Sequence, residues 1–372
     1  MIEDLLVING TGQALYGWHN ETDKDTSKDD LISGFLTALN SFATAERGED
    51  IKSLKMKESI ILFEKHDKLE QKLVFVVTTK DEKLLELLHA IIHDVMESFI
   101  TQFKDSLDKV FDGDVTAYRQ FDGTIEHIFQ SYGLDELEES LEGIEHQKSL
   151  NAILFLEPKG GNIFYIRAKE YINKEKMSFL IPLLVNSSKL LYERYLNQEI
   201  YWIHLNTIDN RTLLLDLRKN IIILKIYKHE LEINNQEILK LPYFKSNEKY
   251  VKKPQKIIEI FNDISFQENI QQFFLVDMVG KVFYEDQKNS SHNFEDFIPE
   301  TISFVTASKK ASQEIYNKTM LMSVINGVKT STICINFNTF VLVIISNAGD
   351  FSNYKDVQHL GFDIYRQILT HF

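Results

Sequence analysis

A single cysteine, Cys334, stands in 372 residues. One thiol can form neither an intrachain disulfide framework nor a cysteine-based zinc site. Its place in a run of alternating apolar residues reads as a core position in a reducing cytosol. Proline (5) and glycine (15) are scarce, which excludes long flexible linkers. No stretch reaches about 18 consecutive apolar residues, so no membrane-spanning helix is expected. Residues 1–6 carry Glu3 and Asp4 but no basic residue, unlike a secretory signal. The sequons at Asn186, Asn210 and Asn317 therefore read as chance matches. The phosphate-binding patterns G-x-x-x-x-G-K-[ST] and G-x-G-x-x-G are missing, as is the G-x-S-x-G nucleophile elbow.

What is present points to packed cores. Apolar residues make up 44% of the chain and aromatics 12%, more than a disordered chain carries. The net charge of −14 is unevenly placed: residues 1–148 hold 31 acidic and 15 basic residues, and the rest is near balance. An acidic surface repels phosphate, so nucleic acid is not an expected partner.

One pattern recurs three times: an apolar run, a short Gly-containing turn, and a second apolar run. It appears as Leu5-Leu6-Val7-Ile8, Asn9-Gly10-Thr11-Gly12, Ala14-Leu15-Tyr16. It returns as Ile153-Leu154-Phe155-Leu156, Pro158-Lys159-Gly160-Gly161, Ile163-Phe164-Tyr165-Ile166, and as Phe273-Phe274-Leu275-Val276, Asp277-Met278-Val279-Gly280, Lys281-Val282-Phe283-Tyr284. β-prone arms around a tip that accepts positive φ predict β-hairpins. The spacing is that of whole domains rather than solenoid repeats. A helix is predicted after each hairpin, over 30–46, 176–196 and 299–317. Leu31, Phe35, Leu39 and Phe42 give the first one an apolar face, with Ser27 and Asp30 as a weak capping box. Pro182 should kink the second or mark its start. Phe304, Ala307, Ser308, Ala311 and Ile315 stripe the third, where small residues permit close approach of another element.

Further strands are predicted at 59–64 and 72–78, at 201–206, 212–217 and 220–227, and at 320–325, 331–336 and 340–346. Closing helices are predicted over 82–107, 254–262 and 356–371, with an additional one over 118–131. The fold class is therefore α/β of the α+β kind. Three consecutive modules are expected, each an antiparallel sheet of about five strands with helices packed on it. The boundaries are 1–133, an acidic linker over 134–148, then 149–264 and 265–372.

The search for chemistry nominates no catalytic, cofactor-binding or metal-binding residue. His89 and His93 have zinc-ligand spacing on a helix but lack a third ligand, and read as a solvated polar face beside Glu82 and Glu86. Arg119, Arg167, Arg211 and Arg218 are candidate arginine fingers toward a GTPase, against the plainer reading of surface charge. Lys245, Lys249, Lys252, Lys253 and Lys256 lie in a basic stretch without an amphipathic anchor, which reads as a solvated loop rather than a membrane contact. The helix stripe Phe304, Ala307, Ser308, Ala311 and Ile315, with Met320 and Met322 of the following strand, is the candidate partner or dimer interface.

The first unit resembles a longin domain in its hairpin, its helix with Gly34-Phe35-Leu36-Thr37-Ala38-Leu39, its strands at 60–63 and 73–77, and its long helix followed by 121–129. The third resembles a roadblock domain, opening on Leu275-Val276-Asp277-Met278-Val279-Gly280-Lys281-Val282; residues 257–264 would be the helix that often begins that fold. The second is of either type. This profilin-like architecture implies a cytoplasmic, non-enzymatic protein with no cofactor and at most peripheral contact with membranes. Such proteins commonly bind Ras-like small GTPases of the Rab, Arf or Rag type. They act as exchange-factor or activating-protein subunits, scaffolds or vesicle-trafficking components, and form homo- or heterodimers through longin or roadblock surfaces. Rab exchange factors with three longin-type domains per subunit are one such assembly. The alternative expectation is a structural or trafficking adaptor that binds no GTPase.

Overall fold

The structure, a computed structural model, describes residues 2–20, 29–69, 72–134, 137, 147–159, 161–228, 270–287, 297–337 and 340–347. The basic stretch with Lys245 to Lys256, the expected closing helices over 254–262 and 356–371, Ser27 and most of 134–148 lie outside these residues. The chain divides into two compact units: residues 1–141 with 164–166, and residues 142–163 with 167–372. The protein is mixed α/β, with two antiparallel sheets and five described α-helices.

In the first unit the sequence runs β1 (Ile2–Asn9), β2 (Ala14–His19), α1 (Asp29–Arg47), β3 (Ser53–Lys55), β4 (Ile60–His66) and β5 (Leu73–Thr79). The strands order as β2-β1-β5-β4-β3. α2 (Leu85–Leu107) and α3 (Asp122–Ser131) follow. Leu84, Leu88, Ile91, Val95 and Phe99, spaced along one face of this helical stretch, are all buried. Phe99 sits at the centre of the aromatic packing, with ring centroids 5.8 Å from Phe75, 5.4 Å from Tyr118 and 5.1 Å from Phe121. Side chains of this size stabilise by roughly 1.5–3 kcal/mol each on burial. A second apolar cluster joins Leu36 of α1 to Leu6, Ile8, Ile61, Phe63 and Val76, with Ile51 and Leu54 against it.

The second unit carries β6 (Leu150–Leu156), β7 (Ile163–Ala168), α4 (Lys174–Lys189), a π-helical turn (Leu190–Leu196), β8 (Ile200–Thr207), β9 (Thr212–Leu217) and β10 (Ile222–Tyr227). It continues with β11 (Ile270–Asp277), β12 (Val282–Gln287), α5 (Ile298–Tyr316), β13 (Met320–Gly327), β14 (Thr330–Phe337) and β15 (Phe340–Asn347). These strands form one ten-stranded sheet, ordered β12-β11-β15-β14-β13-β8-β9-β10-β6-β7. Each half of that sheet repeats the order of the first sheet: second strand, first, fifth, fourth, third. One half is drawn wholly from 150–227 and the other from 270–347. The halves meet where third strand pairs with third strand, β8 with β13. β13 is buried along its whole length, and β14 and β15 along nearly all of theirs, as strands covered on both faces are.

Local chemistry repeats with the topology. Asn9 Oδ1 accepts from the backbone N–H groups of Thr11 (3.0 Å) and Gln13 (2.9 Å). Asp277 Oδ1 accepts in the same way from Val279 (3.0 Å) and Lys281 (2.9 Å). A side-chain acceptor two residues before the N–H it receives is the chemistry that fixes a tight turn. The helical segments end on left-handed residues: Gly48 after α1, Asn197 after the π-helical turn and Asn317 after α5. Hydroxyls bond back to the carbonyl four residues earlier in each of these helices: Thr44 to Asn40 (3.0 Å), Ser188 to Leu184 (2.8 Å), and in α5 Thr301 to Phe297 (2.9 Å), Thr306 to Ile302 (2.7 Å) and Ser308 to Phe304 (2.8 Å). Two of the sequon asparagines, Asn210 and Asn317, are positive-φ turn residues.

Pro182 lies inside α4, which begins at Lys174, so it does not mark the start. A helix proline removes one hydrogen bond to the carbonyl four residues before it, here that of Ser178. Gly161 packs on that carbonyl at φ +67°, and a Cβ there would lie 2.4 Å from the Ser178 oxygen.

Candidate interaction surfaces

α4 packs against α5, while β8 pairs with β13 through seven residue pairs that run from Met320–Thr207 to Gly327–Ile200. Lys176 of α4 bridges Glu314 of α5 at 2.6 Å, and the Lys310 ammonium sits 5.0 Å from the centroid of the Phe179 ring. Tyr195 donates to Glu300 at 3.1 Å. Tyr192, fully buried, reaches from the π-helical turn into the other half. Its hydroxyl lies 2.9 Å from the Ile325 carbonyl and 2.9 Å from Thr332 Oγ1. Its ring occupies the space beside Gly327, where a Cβ would lie 2.6 Å from a ring carbon. Tyr316 returns the link, donating to the Thr212 carbonyl at 2.6 Å.

The residues expected from sequence to form a partner or dimer interface lie in α5 and β13, inside the second unit. Phe304, Ala307, Ser308, Ala311, Met320 and Met322 are buried within the second unit, and Ile315 is half-buried. Ala307 and Ala311 supply the narrow helix surface that close packing needs. The covering element is another part of the same chain.

In the first unit, none of the described residues buries the outer face of the corresponding helix. α1 buries Ser33, Leu36 and Asn40. The apolar stripe legible in the sequence points outward: Leu31 is 77% exposed, Phe35 62% and Phe42 65%. Residues 31–45 contain no charged residue. β3 is the last strand of its sheet. The Lys52 carbonyl accepts from Phe63 (2.9 Å) and Met56 N–H donates to Ser59 (2.8 Å), both toward β4. Backbone groups alternate in direction along a strand, so those of Ser53 and Lys55 face away from the sheet.

Several charged groups elsewhere are paired locally. A cleft of about 360 Å³ in the second unit is lined by Glu170, Lys176, Arg211, Lys228 and Glu314 among others. Lys176 pairs with Glu314, Lys228 with Glu170, and Arg211 Nε with Asp209 at 3.2 Å. Arg218 Nε meets Asp216 at 3.2 Å, Arg167 is partly buried, and Arg119 is exposed. His93 Nδ1 lies 3.0 Å from Glu64 Oε1, which raises its pKa, and His89 is exposed nearby. Among the described residues no group of three or more His, Cys, Asp or Glu could hold a metal ion. Cys334 is fully buried, and burial raises its thiol pKa. Sequence reasoning missed a bridge in which His19 joins Asp4 (2.8 Å) to Asp29 (3.0 Å), tying β2 to β1 and to the start of α1. No short motif marks it; the three residues meet only through the sheet register. Among the described residues no helix is long and apolar enough to cross a membrane.

No family model matches the chain, and no curated protein matches it. Among solved structures, it is similar to an uncharacterised protein from Mycobacterium tuberculosis, with 10% identity and a TM-score of 0.14, over 96% of this chain and 99% of the other. A likeness at that level carries no argument about fold or function.

Proposed function

We propose that this chain is a non-catalytic regulator or scaffold for a Ras-like small GTPase of the Rab, Arf or Rag type. In this reading it is built from three longin- or roadblock-like modules over 1–133, 149–264 and 265–372, and acts in the cytoplasm with at most peripheral contact with membranes. The observation that carries the reading is the strand order second-first-fifth-fourth-third, found once in the five-stranded sheet and twice in the ten-stranded one. In every instance a helix lies between the second and third strands. The resemblance to longin and roadblock domains rests on that same order of hairpin, helix, strands. Function is then sought on surfaces, because a fold alone does not establish it. The exposed apolar face of α1 supports action by docking, as does the pairing of charges within the cleft of the second unit.

The mechanism is differential binding. A partner that exists in two nucleotide states shifts toward whichever state this surface binds better. Docking that disturbs the partner's phosphate or magnesium site speeds nucleotide release. The test is release of a fluorescent nucleotide from a panel of Ras-like GTPases of the same organism, with and without the full chain. Faster release from one member supports exchange activity and names the partner. If no member responds while all respond to a chelator, and none binds in a pulldown, the GTPase reading fails and a trafficking adaptor remains.

A further inference from the structure

We propose that the cleft of the second unit, at the start of α4, is a binding site for a small organic carboxylate whose charge is taken by Arg211. The cleft holds about 360 Å³, and small-molecule sites begin at roughly 300 Å³. It lies between the first turn of α4, the last turn of α5, the turn that joins β8 to β9, and the ends of β6 and β10.

The fold carries a packed counterpart of this place. Asn197 and Asn317 are both left-handed, and β8 and β13 each begin three residues later. On that alignment Tyr192 and Ser312 hold the same position, five residues before the asparagine. At one end of the seam the Tyr192 ring fills the space beside Gly327. There Gln198 Oε1 accepts from the Lys329 (2.8 Å) and Thr330 (3.1 Å) N–H groups of the turn that joins β13 to β14. At the other end Ser312 is too small to fill the same space, and the turn that joins β8 to β9 has four residues where its counterpart has two. The cleft is that unfilled end, and the longer turn puts Arg211 into its wall. A hollow where the same fold elsewhere packs an aromatic ring is a built difference rather than a gap left by the architecture.

The turn holds Arg211 stiffly. Its backbone N–H donates to Thr207 Oγ1 (2.9 Å), which donates in turn to Asp209 Oδ1 (2.7 Å), and Asn210 takes the positive φ of 63°. The guanidinium Nε lies 3.2 Å from Asp209 Oδ2, yet no guanidinium nitrogen makes an aligned hydrogen bond among the described residues. Asp209 also faces Lys318 at 3.6 Å, so one carboxylate answers two cations and a positive charge remains. The other cations of the wall are neutralised, Lys176 by Glu314 and Lys228 by Glu170. That balance fits a monoanion, and a guanidinium fork matches the two oxygens of a carboxylate. A doubly charged phosphate is repelled by a wall that includes Glu170 and Glu314. The first turn of α4 lines the cleft as well, and a helix N-terminus favours negative charge. Ile172, Met177, Ile226 and Ile315 also line it, so the body of the ligand is apolar. This inference does not depend on the GTPase reading.

The test is saturation-transfer NMR with benzoate as the probe and the full chain as the receptor. Benzoate should bind in the millimolar range, as a fragment with one charged group does. Arg211→Gln should weaken binding by about tenfold or more. Its melting temperature should be unchanged, because the turn is held through the backbone N–H of that residue. Arg211→Lys keeps the charge, loses the fork and should weaken binding several-fold. Acetate should displace benzoate at lower concentration than inorganic phosphate does. A second measurement needs no variant. A diazirine-bearing benzoate, photolysed on the wild-type chain, should label the peptides that carry Tyr171 to Met177 and Glu314 to Tyr316. A wild type that gives no benzoate signal overturns the proposal. So does binding that Arg211→Gln leaves unchanged, label found only outside those peptides, or phosphate that displaces benzoate better than acetate.

Discussion

His204 and Val324 face each other across the strand pair that joins the two halves of the ten-stranded sheet. Each is the fifth residue of an eight-residue strand, so the register makes the two positions equivalent. The pairing runs symmetrically outward from them, to Asn206 with Met322 on one side and Trp202 with Asn326 on the other. Two copies of one topology have thereby met edge to edge inside one chain. The price of putting an imidazole at that centre is a fully buried, titratable ring.

That ring sets a pH dependence. Burial pushes the His204 pKa down to about 3, from an ordinary value near 6.5. Between those values the unfolded chain binds a proton that the folded chain does not, so stability falls as pH drops below about 6.5. The contribution is about tenfold in the unfolding constant per pH unit. Urea unfolding at pH 7 and pH 5 should show a smaller loss for His204→Leu than for wild type. Parallel losses would show that the site is hydrated or relaxes.

Tyr192 holds the halves together from below. Tyr192→Phe keeps the ring and removes the hydroxyl that reaches Ile325 and Thr332. Leaving a buried partner unsatisfied costs roughly 1–3 kcal/mol, and the unfolding free energy extrapolated from urea titration should fall by that amount. Tyr192→Ala also empties the space beside Gly327 and should cost about 3–5 kcal/mol.

Two glycines should respond in opposite directions to alanine. Gly161→Ala places a methyl against the Ser178 carbonyl at a left-handed φ, and should lower stability by more than the roughly 1 kcal/mol of a strained turn alone. Gly34 lies in α1 with nothing within 4 Å of an added Cβ. Gly34→Ala should raise stability by about 1 kcal/mol, the helix-propensity difference. Thermal melts of the two variants decide both.

Cys334 should be chemically silent. It is buried at the pairing of β14 with β13 and β15, and its thiol pKa is raised by that burial. The thiolate is the reactive form, so a maleimide should label it in urea and leave it unmodified under native conditions. Native labelling would mean that this sheet opens.

The strands were legible wherever apolar runs were bounded by Gly, Asn or Asp. Residues 212–217 were placed at β9 with both ends correct, and the other read strands shift by only a few residues. β3 was missed because three residues with one apolar side chain, Leu54, carry no periodic signal. The stripe of α1 was legible but its direction was not. The side toward the sheet takes Ser33 and Asn40 with Leu36 between them, and periodicity does not say which face a helix turns inward. The small-residue stripe of α5 was legible, and Phe304, Ala307, Ser308 and Ala311 are buried. That α5 packs against α4 of the same chain was not legible, because local pattern does not choose a partner distant in sequence.

The proposed role requires the chain to discriminate between the nucleotide states of a small GTPase, and equilibrium binding measures that most directly. The full chain, titrated against each candidate GTPase in GDP-bound, GTP-analogue-bound and nucleotide-free form, should bind one form of one member at least tenfold more tightly than the others, a coupling of about 1.4 kcal/mol. Equal affinity for all three forms, or binding to no member of the panel, would contradict it.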